Sequence, residues 1–332
     1  MRGQTHAWIK DFLDNRKQRV VVDGVFSDYV PVVSGVPQGT VLGPLLFLLF
    51  INDLPDNLNC KVRLFADDCI VYNSIKSVQN SLDLQKDLDQ LALWERRWGM
   101  SFHPEKCSIL SISRSTSPSL YRYKLKGHEL KRTKSSKYLG VTISSDLSWG
   151  DHIHNISKKA NSVLGFLRRN LKTNNIEVKE PAYNSLVRPH LEYCCSVWNP
   201  WVGGQIKQIE MVQRRAARYV LNRHHNTSSV TSMLDQLGWV PLETRRRNCQ
   251  LSLFYKIVNN HVDISASDYL TPAYSRTRAQ HGKKFLHFSS KCDNFRYSFF
   301  PRTVPTWNNL PAGVAEAPSL VSFKQGLHKI SK

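Results

Sequence analysis

Apolar residues fall at helical spacing from the start of the chain. Ala7, Trp8 and Ile9, followed by Phe12 and Leu13, predict a helix over about residues 5–15. Arg19-Val20-Val21-Val22 and Val25 to Val33 flank Asp23-Gly24, the signal of a β-hairpin. A second helix is predicted after Gly39, over about residues 41–52, ending before Pro55. Its apolar run Val41 to Ile51, with Pro44 inside, is too short to span a bilayer and reads as a buried helix. Val62 to Phe65 and Cys69 to Tyr72 are two short apolar strands separated by Asp67-Asp68. Leu82, Leu84, Leu88, Leu91, Trp94 and Trp98 mark a long helix to about residue 100. Strands are predicted around 108–112, 121–126 and 138–143.

Beyond Trp149 the pattern becomes helical, with short links. The predicted helices cover about 151–171, 175–197, 204–221, 228–236 and 242–260. The last stretch is rich in Ser, Arg, Lys, Pro and aromatic residues, and its periodicity is weak. No internal repeat is present. The order of elements gives an α+β fold class.

Length and charge sharpen this picture. The chain has 332 residues, enough for two or three domains, and 41% hydrophobic content argues for globular folding. Its formal charge of +20 is unevenly spread. Residues 1–100 hold 11 Lys and Arg against 12 Asp and Glu, so the remainder holds 35 against 14. All the excess positive charge lies beyond Met100. Such a field suits a polyanion, nucleic acid before membrane; the plainer reading is a soluble basic surface. The seven cysteines are odd in number and widely spaced, with no pair at zinc-ligand spacing. Reduced, mostly buried thiols are expected. No apolar core follows Met1-Arg2-Gly3-Gln4-Thr5-His6, so no signal peptide is predicted and the expected location is intracellular, nuclear or cytoplasmic.

The candidate chemistry centres on Asp67 and Asp68. Adjacent aspartates at a strand turn can hold a hard divalent cation, and Mg²⁺ needs few protein carboxylates because it keeps waters. Successive strand side chains point to opposite faces, so the two aspartates share a metal site only if the turn breaks the alternation. Asp67 is the expected direct ligand, with Asp68 a nearby electrostatic or second ligand. Taken alone, an Asp-Asp pair more often merely ends a hairpin.

Context changes that balance. The segments Ser34-Gly35-Val36-Pro37-Gln38-Gly39-Thr40-Val41-Leu42-Gly43-Pro44, Phe50-Ile51-Asn52-Asp53-Leu54-Pro55 and Phe65-Ala66-Asp67-Asp68 occur in this order. Together they resemble the reverse transcriptases of non-LTR (LINE-type) retrotransposons, most of all the jockey-like group. The resemblance continues through Trp94, Trp98 and Lys106-Cys107 to Tyr138-Leu139-Gly140-Val141. A looser likeness extends to Leu237-Gly238-Trp239-Val240-Pro241-Leu242 and Trp307-Asn308-Asn309-Leu310-Pro311.

The resemblance implies a role for each matching residue. Gly35, Pro37, Gln38 and Gly39 would line the incoming nucleotide and template; by itself the segment is a glycine turn capping a core helix. Phe65 would pack under the primer end, where a lone strand aromatic would otherwise be core. Asp67 and Asp68 would hold metal in a two-Mg²⁺ site, and Lys106 would act near the leaving pyrophosphate as a cation or proton donor. Without the resemblance, Lys106 reads as a solvated charge. Tyr138, Leu139 and Gly140 would help grip the primer, or else form an ordinary strand edge. The implied partners are an RNA template, a DNA primer and a dNTP, with no membrane.

The family also carries an aromatic-x-Asp stretch with the first metal-binding aspartate upstream of the helix beginning near Thr5, preceded by fingers and an endonuclease. Asp11, Asp14, Asp23 and Asp28 lack that context. The expectation is therefore a chain truncated at its N-terminus. It would hold a partial right-hand palm over 1–145, with a small antiparallel sheet and packed helices. A thumb-like helical region over 146–222 and a basic helical C-terminal region over 223–332 would follow. Its family function is RNA-directed DNA synthesis, with the isolated chain expected to be inactive. The alternative is a non-catalytic RNA- or DNA-binding remnant.

Overall fold

Strands in this protein come in pairs and never build a wide sheet. The computed structural model describes residues 2–115, 120–225, 227–273 and 281–330, and among these the strands form six two-stranded ladders. Helices make up the rest of the regular structure, giving an α+β protein. The chain divides into two compact units, residues 1–109 with 115–132, and residues 110–114 with 133–332. No helix of the described residues is long and apolar enough to cross a membrane.

In the first unit the helix Gln4–Leu13 is followed by short ladders. Lys17–Gln18 pairs with Val30–Pro31, and Val21–Val22 pairs with Val25–Phe26 across Asp23-Gly24. Both turn residues have positive φ, 48° and 81°, as a two-residue hairpin of this kind requires. The core of the unit gathers Ile51, Leu54, Leu91 and Trp94, with Phe47, Phe50, Val62, Leu64, Cys69 and Val71 packed against them. The long helix Val78–Trp98 supplies Leu91 and Trp94; Ser77 caps its start and Gly99, at φ 69°, ends it.

The helix Leu42–Ile51 corrects the expectation of a buried segment. Only Gly43 and Ile51 are buried, while Leu45, Leu48 and Leu49 are each 52% exposed. Phe47, Phe50 and Ile51 face the core of the unit, and the other apolar side chains of the helix meet less of it.

The second unit is mainly helical and has two buried clusters. One runs from Val141 through Ile153, Leu164, Tyr183, Trp198 and Val212 to Leu242. The other joins Leu251, Phe254 and Tyr255 to Val304, Trp307 and Phe323. The helix Leu242–Val258 contributes to both. The predicted helix over 175–197 is in fact three pieces, Ile176–Leu186, Arg188–Glu192 and Cys195–Trp198. Pro189 lacks an N–H for the helical ladder, and Tyr193 and Cys194 leave helical geometry, Cys194 with φ 52°. The weakly periodic tail contains the helices Phe299–Asn308 and Leu320–Ile330, whose Trp307 and Phe323 are fully buried.

All seven cysteines are free thiols, but only Cys60 and Cys195 are buried, fewer than expected; Cys194 and Cys249 are exposed. His152 is a structural group in the first cluster of this unit. It is 2% exposed, its Nδ1 accepts the Thr142 N–H at 3.2 Å, and its ring centroid lies 5.0 Å from that of Trp198. Burial pushes its imidazole down to about 4, so the native state holds it neutral. In the unfolded chain it takes a proton near pH 6.5. Between those values the unfolded state binds the extra proton, so stability present above pH 6.5 is lost as pH falls toward 4. The expected loss is about 3 kcal/mol, from roughly 1.4 kcal/mol per pH unit. Urea midpoints at pH 7 and 4.5 should show this slope in the parent and a flatter one in His152→Phe. Equal slopes would assign the acid sensitivity elsewhere.

Candidate functional site

Asp67 and Asp68 sit at the tip of the hairpin formed by Lys61–Phe65 and Asp68–Tyr72. Phe65 pairs with Asp68, which leaves Ala66 and Asp67 as the two turn residues. Asp67 lies in the turn and Asp68 opens the returning strand. Ala66 has φ 50°, a left-handed conformation that glycine usually fills at the first position of such a turn. Holding a residue with a Cβ there costs of order 1 kcal/mol or more, a strain that recurs at functional sites. Both aspartates are exposed.

The two faces of this hairpin differ. Val62, Leu64, Cys69 and Val71 pack onto the core of the unit. The opposite face carries the cross-strand pairs Phe65 with Asp68, Arg63 with Ile70, and Lys61 with Tyr72. Phe65 is 62% exposed there, so it is not the core residue that a lone strand aromatic suggests.

Two sets of contacts support the hairpin, one through Asp87, which no motif marks, and one among the motif residues Phe50, Asp53, Trp94 and Trp98. The buried carboxylate of Asp87 accepts the Cys60 N–H at 2.8 Å and the Asn59 N–H at 3.1 Å, fixing the strand entry to the long helix. Burial, aided by Asp87, pushes the Cys60 thiol up to about 12. Trp94 Nε1 donates to Asp53 Oδ1 at 2.8 Å, and Phe50 packs edge-on against Trp94 and Trp98 at 5.9 and 5.5 Å. The signal for Asp87 was available: it lies within the apolar stripe Leu84, Leu88, Leu91, where an acid belongs only if it has partners.

The glycine-rich segment joins this assembly through the helix that follows it. Gly35 and Gly39 have φ 70° and 80°, and a Cβ built on either meets nothing within 4 Å, so their backbone faces open space. Arg16 Nη2 donates to the carbonyls of Ser34 at 3.0 Å and Gly35 at 2.7 Å, and the Thr40 hydroxyl donates to Pro37 O at 2.8 Å. A Cβ on Gly43 would lie 2.9 Å from Pro37 O, so the loop is pressed onto the start of the helix. Gln38 is exposed. The contacts of Arg16 span 18 and 19 residues, beyond the reach of local pattern.

Lys106 is exposed and ends the 3₁₀ turn Pro104–Lys106. Burial first, then the charge of Cys107, pushes the Cys69 thiol up to about 11. Gly35, Pro37, Gln38, Gly39, Phe65, Asp67, Asp68 and Lys106 thus all belong to the first unit. Tyr138, Leu139 and Gly140 belong to the second.

The strand predicted over 138–143 is instead a turn and its flanks. Ser135–Tyr138 pairs with Val141–Ser144, and Leu139 and Gly140 form the tip with φ 45° and 82°. Tyr193 closes the tip, its hydroxyl donating to Leu139 O at 3.0 Å. A Cβ on Gly140 would stand 3.1 Å from the exposed Tyr193 ring, and its φ of 82° itself favours glycine.

Among the described residues no group of three or more His, Cys, Asp or Glu side chains is gathered as if to hold a metal ion. The hard oxygen donors of Asp67 and Asp68 at an open tip do fit Mg²⁺, which takes one or two carboxylates and fills its shell with water and substrate phosphates.

Residues 1–143 match the family described as reverse transcriptase (RNA-dependent DNA polymerase). This part of the chain is a reverse transcriptase domain. The chain is 28% identical over 229 residues to the RNA-directed DNA polymerase from mobile element jockey of Drosophila melanogaster, covering 65% of this chain and 25% of that protein. It is 29% identical over 229 residues to the probable RNA-directed DNA polymerase from transposon BS of the same species, covering 64% and 25%. To the Pol polyprotein from type-1 retrotransposable element R1 of Nasonia vitripennis it is 25% identical over 225 residues, covering 63% and 66%. Over residues 1–143 the chain is similar to the reverse transcriptase domains of non-LTR retrotransposons. It spans about a quarter of the length of the first relatives it matches.

Proposed function

We propose that this chain carries the metal-holding hairpin of an RNA-directed DNA polymerase palm, acting on an RNA template, a DNA primer and a dNTP. The observation that carries the reading is the hairpin tip: two exposed carboxylates on a strained turn, beside an exposed Phe65, above a face packed into the core. Asp67 is the direct carboxylate ligand and Asp68 the second acidic group. Bound Mg²⁺ would supply charge neutralisation and lower the pKa of the primer hydroxyl. Phe65 supports the primer end, while Gly35, Pro37, Gln38 and Gly39 leave room for nucleotide and template. Lys106 offers a cation at the leaving pyrophosphate, and the Tyr138-Leu139-Gly140 tip grips the primer. Residues 1–145 are assigned to the palm, 146–222 to a thumb-like region and 223–332 to a basic C-terminal region.

The role of Lys106 is tested in a chimera where this chain replaces the matching stretch of the jockey polymerase. Lys106→Ala should slow single-turnover incorporation by about 100-fold, the scale of one positioned proton donor, while template–primer affinity changes less than about twofold. Lost affinity with an unchanged incorporation rate would make Lys106 a plain backbone contact.

A further inference from the structure

A cavity of about 370 Å³ opens in the second unit, lined in part by Asn199, Glu243, Arg247, Gln250, Arg302 and Thr306. It lies between the helices Leu242–Val258 and Phe299–Asn308, beside the point where the first helix passes from one buried cluster to the other. Its walls are mostly polar, which is unusual so close to two apolar cores.

The charges around it are unbalanced. Arg302 Nη1 donates to the carbonyls of Asn199 at 2.8 Å and Pro200 at 3.1 Å, so its guanidinium is held in place. Behind the lining lies Arg246, fully buried, with Nε donating to Asn199 Oδ1 at 3.0 Å and neither Nη1 nor Nη2 partnered. Asn199 Nδ2 in turn donates to Gln250 Oε1 at 2.9 Å, so the polar wall is rigid. Burial pushes the Arg246 and Arg302 guanidinium groups below their ordinary range. Among the lining residues only Glu243 opposes Arg247 and Arg302, and Glu210 acts on Arg246 from outside the lining. Guanidinium groups held away from water favour an anion nearby.

An aromatic residue adjoins this wall in the chain, next to the Pro200 carbonyl that holds Arg302. Trp201 follows Pro200 directly and stacks on Tyr297, with centroids 4.6 Å apart and planes 9° from parallel, yet it remains 39% exposed. We propose that this cavity and Trp201 form a binding site for single-stranded nucleic acid. A backbone phosphate meets Arg247 and Arg302, and a neighbouring unstacked base lies on Trp201. Free phosphate would explain the arginines but not the adjoining aromatic surface. A duplex keeps its bases stacked and cannot use that surface. The proposal rests on the second unit alone and is independent of the palm reading.

The test uses the full chain and a labelled 12-nucleotide single strand, titrated by anisotropy between 50 and 200 mM salt. Arg247→Gln should weaken binding about tenfold and reduce the salt slope by about 0.7, the share of one phosphate on a single strand. Trp201→Leu should weaken binding about tenfold with the slope unchanged, since a stacked base contributes no counterion release, and Trp201→Phe should restore most of the affinity. Glu243→Gln should tighten binding, a direction that damage to the fold does not produce. Arg247 and Glu243 are exposed, so the fold tolerates both changes. Parental affinity in Trp201→Leu, or displacement of the strand by millimolar inorganic phosphate equally in parent and variant, would reduce the cavity to a free-anion site and overturn the proposal. Unchanged binding in both Arg247→Gln and Glu243→Gln would overturn it as well.

Discussion

In the jockey chimera, Asp67→Asn is expected to lower primer extension on an RNA template by about a thousandfold or more. The substitution keeps the shape of the side chain and removes only its charge, at an exposed turn position whose backbone is set by the Phe65–Asp68 pairing. Folding should therefore be untouched, and a thermal melt equal to the parent's checks that. The magnitude follows from the chemistry: a carboxylate that positions a catalytic cation supplies several kcal/mol to the transition state, and each 1.4 kcal/mol is about tenfold in rate. Asp68→Asn should cost less, because Asp68 opens the strand and is assigned the supporting role. Full activity in Asp67→Asn would remove the palm assignment altogether. A chimera that binds template–primer but never extends it, with or without Asp67, would instead favour the non-catalytic binding reading.

The second large effect is on salt. A fragment of residues 101–332 should bind nucleic acid without residues 1–100, and its affinity should fall by about a thousandfold between 50 and 200 mM salt if six phosphates are contacted. The fragment carries 35 basic against 14 acidic residues. Lys158, Lys159, Arg168 and Arg169 are exposed on the helix Gly150–Asn170, which packs against the helix Gly203–Val220. Arg215 Nη1 donates to Asn161 Oδ1 at 3.0 Å, tying these two helices together. Titration against RNA, RNA–DNA hybrid and duplex DNA at several salt concentrations measures both slope and preference, and an A-form helix should be favoured with little sequence bias. A flat salt response would leave only a soluble basic surface. The triplet Arg245-Arg246-Arg247 should contribute little through its first two members. Arg245 forms a two-point ion pair with Glu192, and Arg246 is buried.

That triplet illustrates how far a sequence reaches. Three consecutive arginines read as one charge cluster, yet folding gives one to an ion pair, one to the interior and one to the surface. Helical phase on Leu242–Val258 turns adjacent residues about 100° apart, and only the neighbouring helices decide what each direction meets.

The sequence by itself determined the local elements with strong signals. The Asp23-Gly24 hairpin, the helix ending at Gly99 and the tight turn that carries Asp67 rest on short-range preferences. It also carried the family motifs that placed Asp67, Asp68 and the glycine-rich segment in order. Tertiary structure alone decided what depends on contacts across many residues: the Asp87 carboxylate under the hairpin, Arg16 on the glycine loop, and Tyr193 over Gly140, 54 residues from its hydrogen-bond partner Leu139. It also decided burial, against the apolar pattern of Leu42–Ile51 and in favour of the weakly patterned tail. The reason is physical: backbone preference acts over a few neighbours, whereas burial and hydrogen-bond satisfaction belong to whatever the rest of the chain brings alongside.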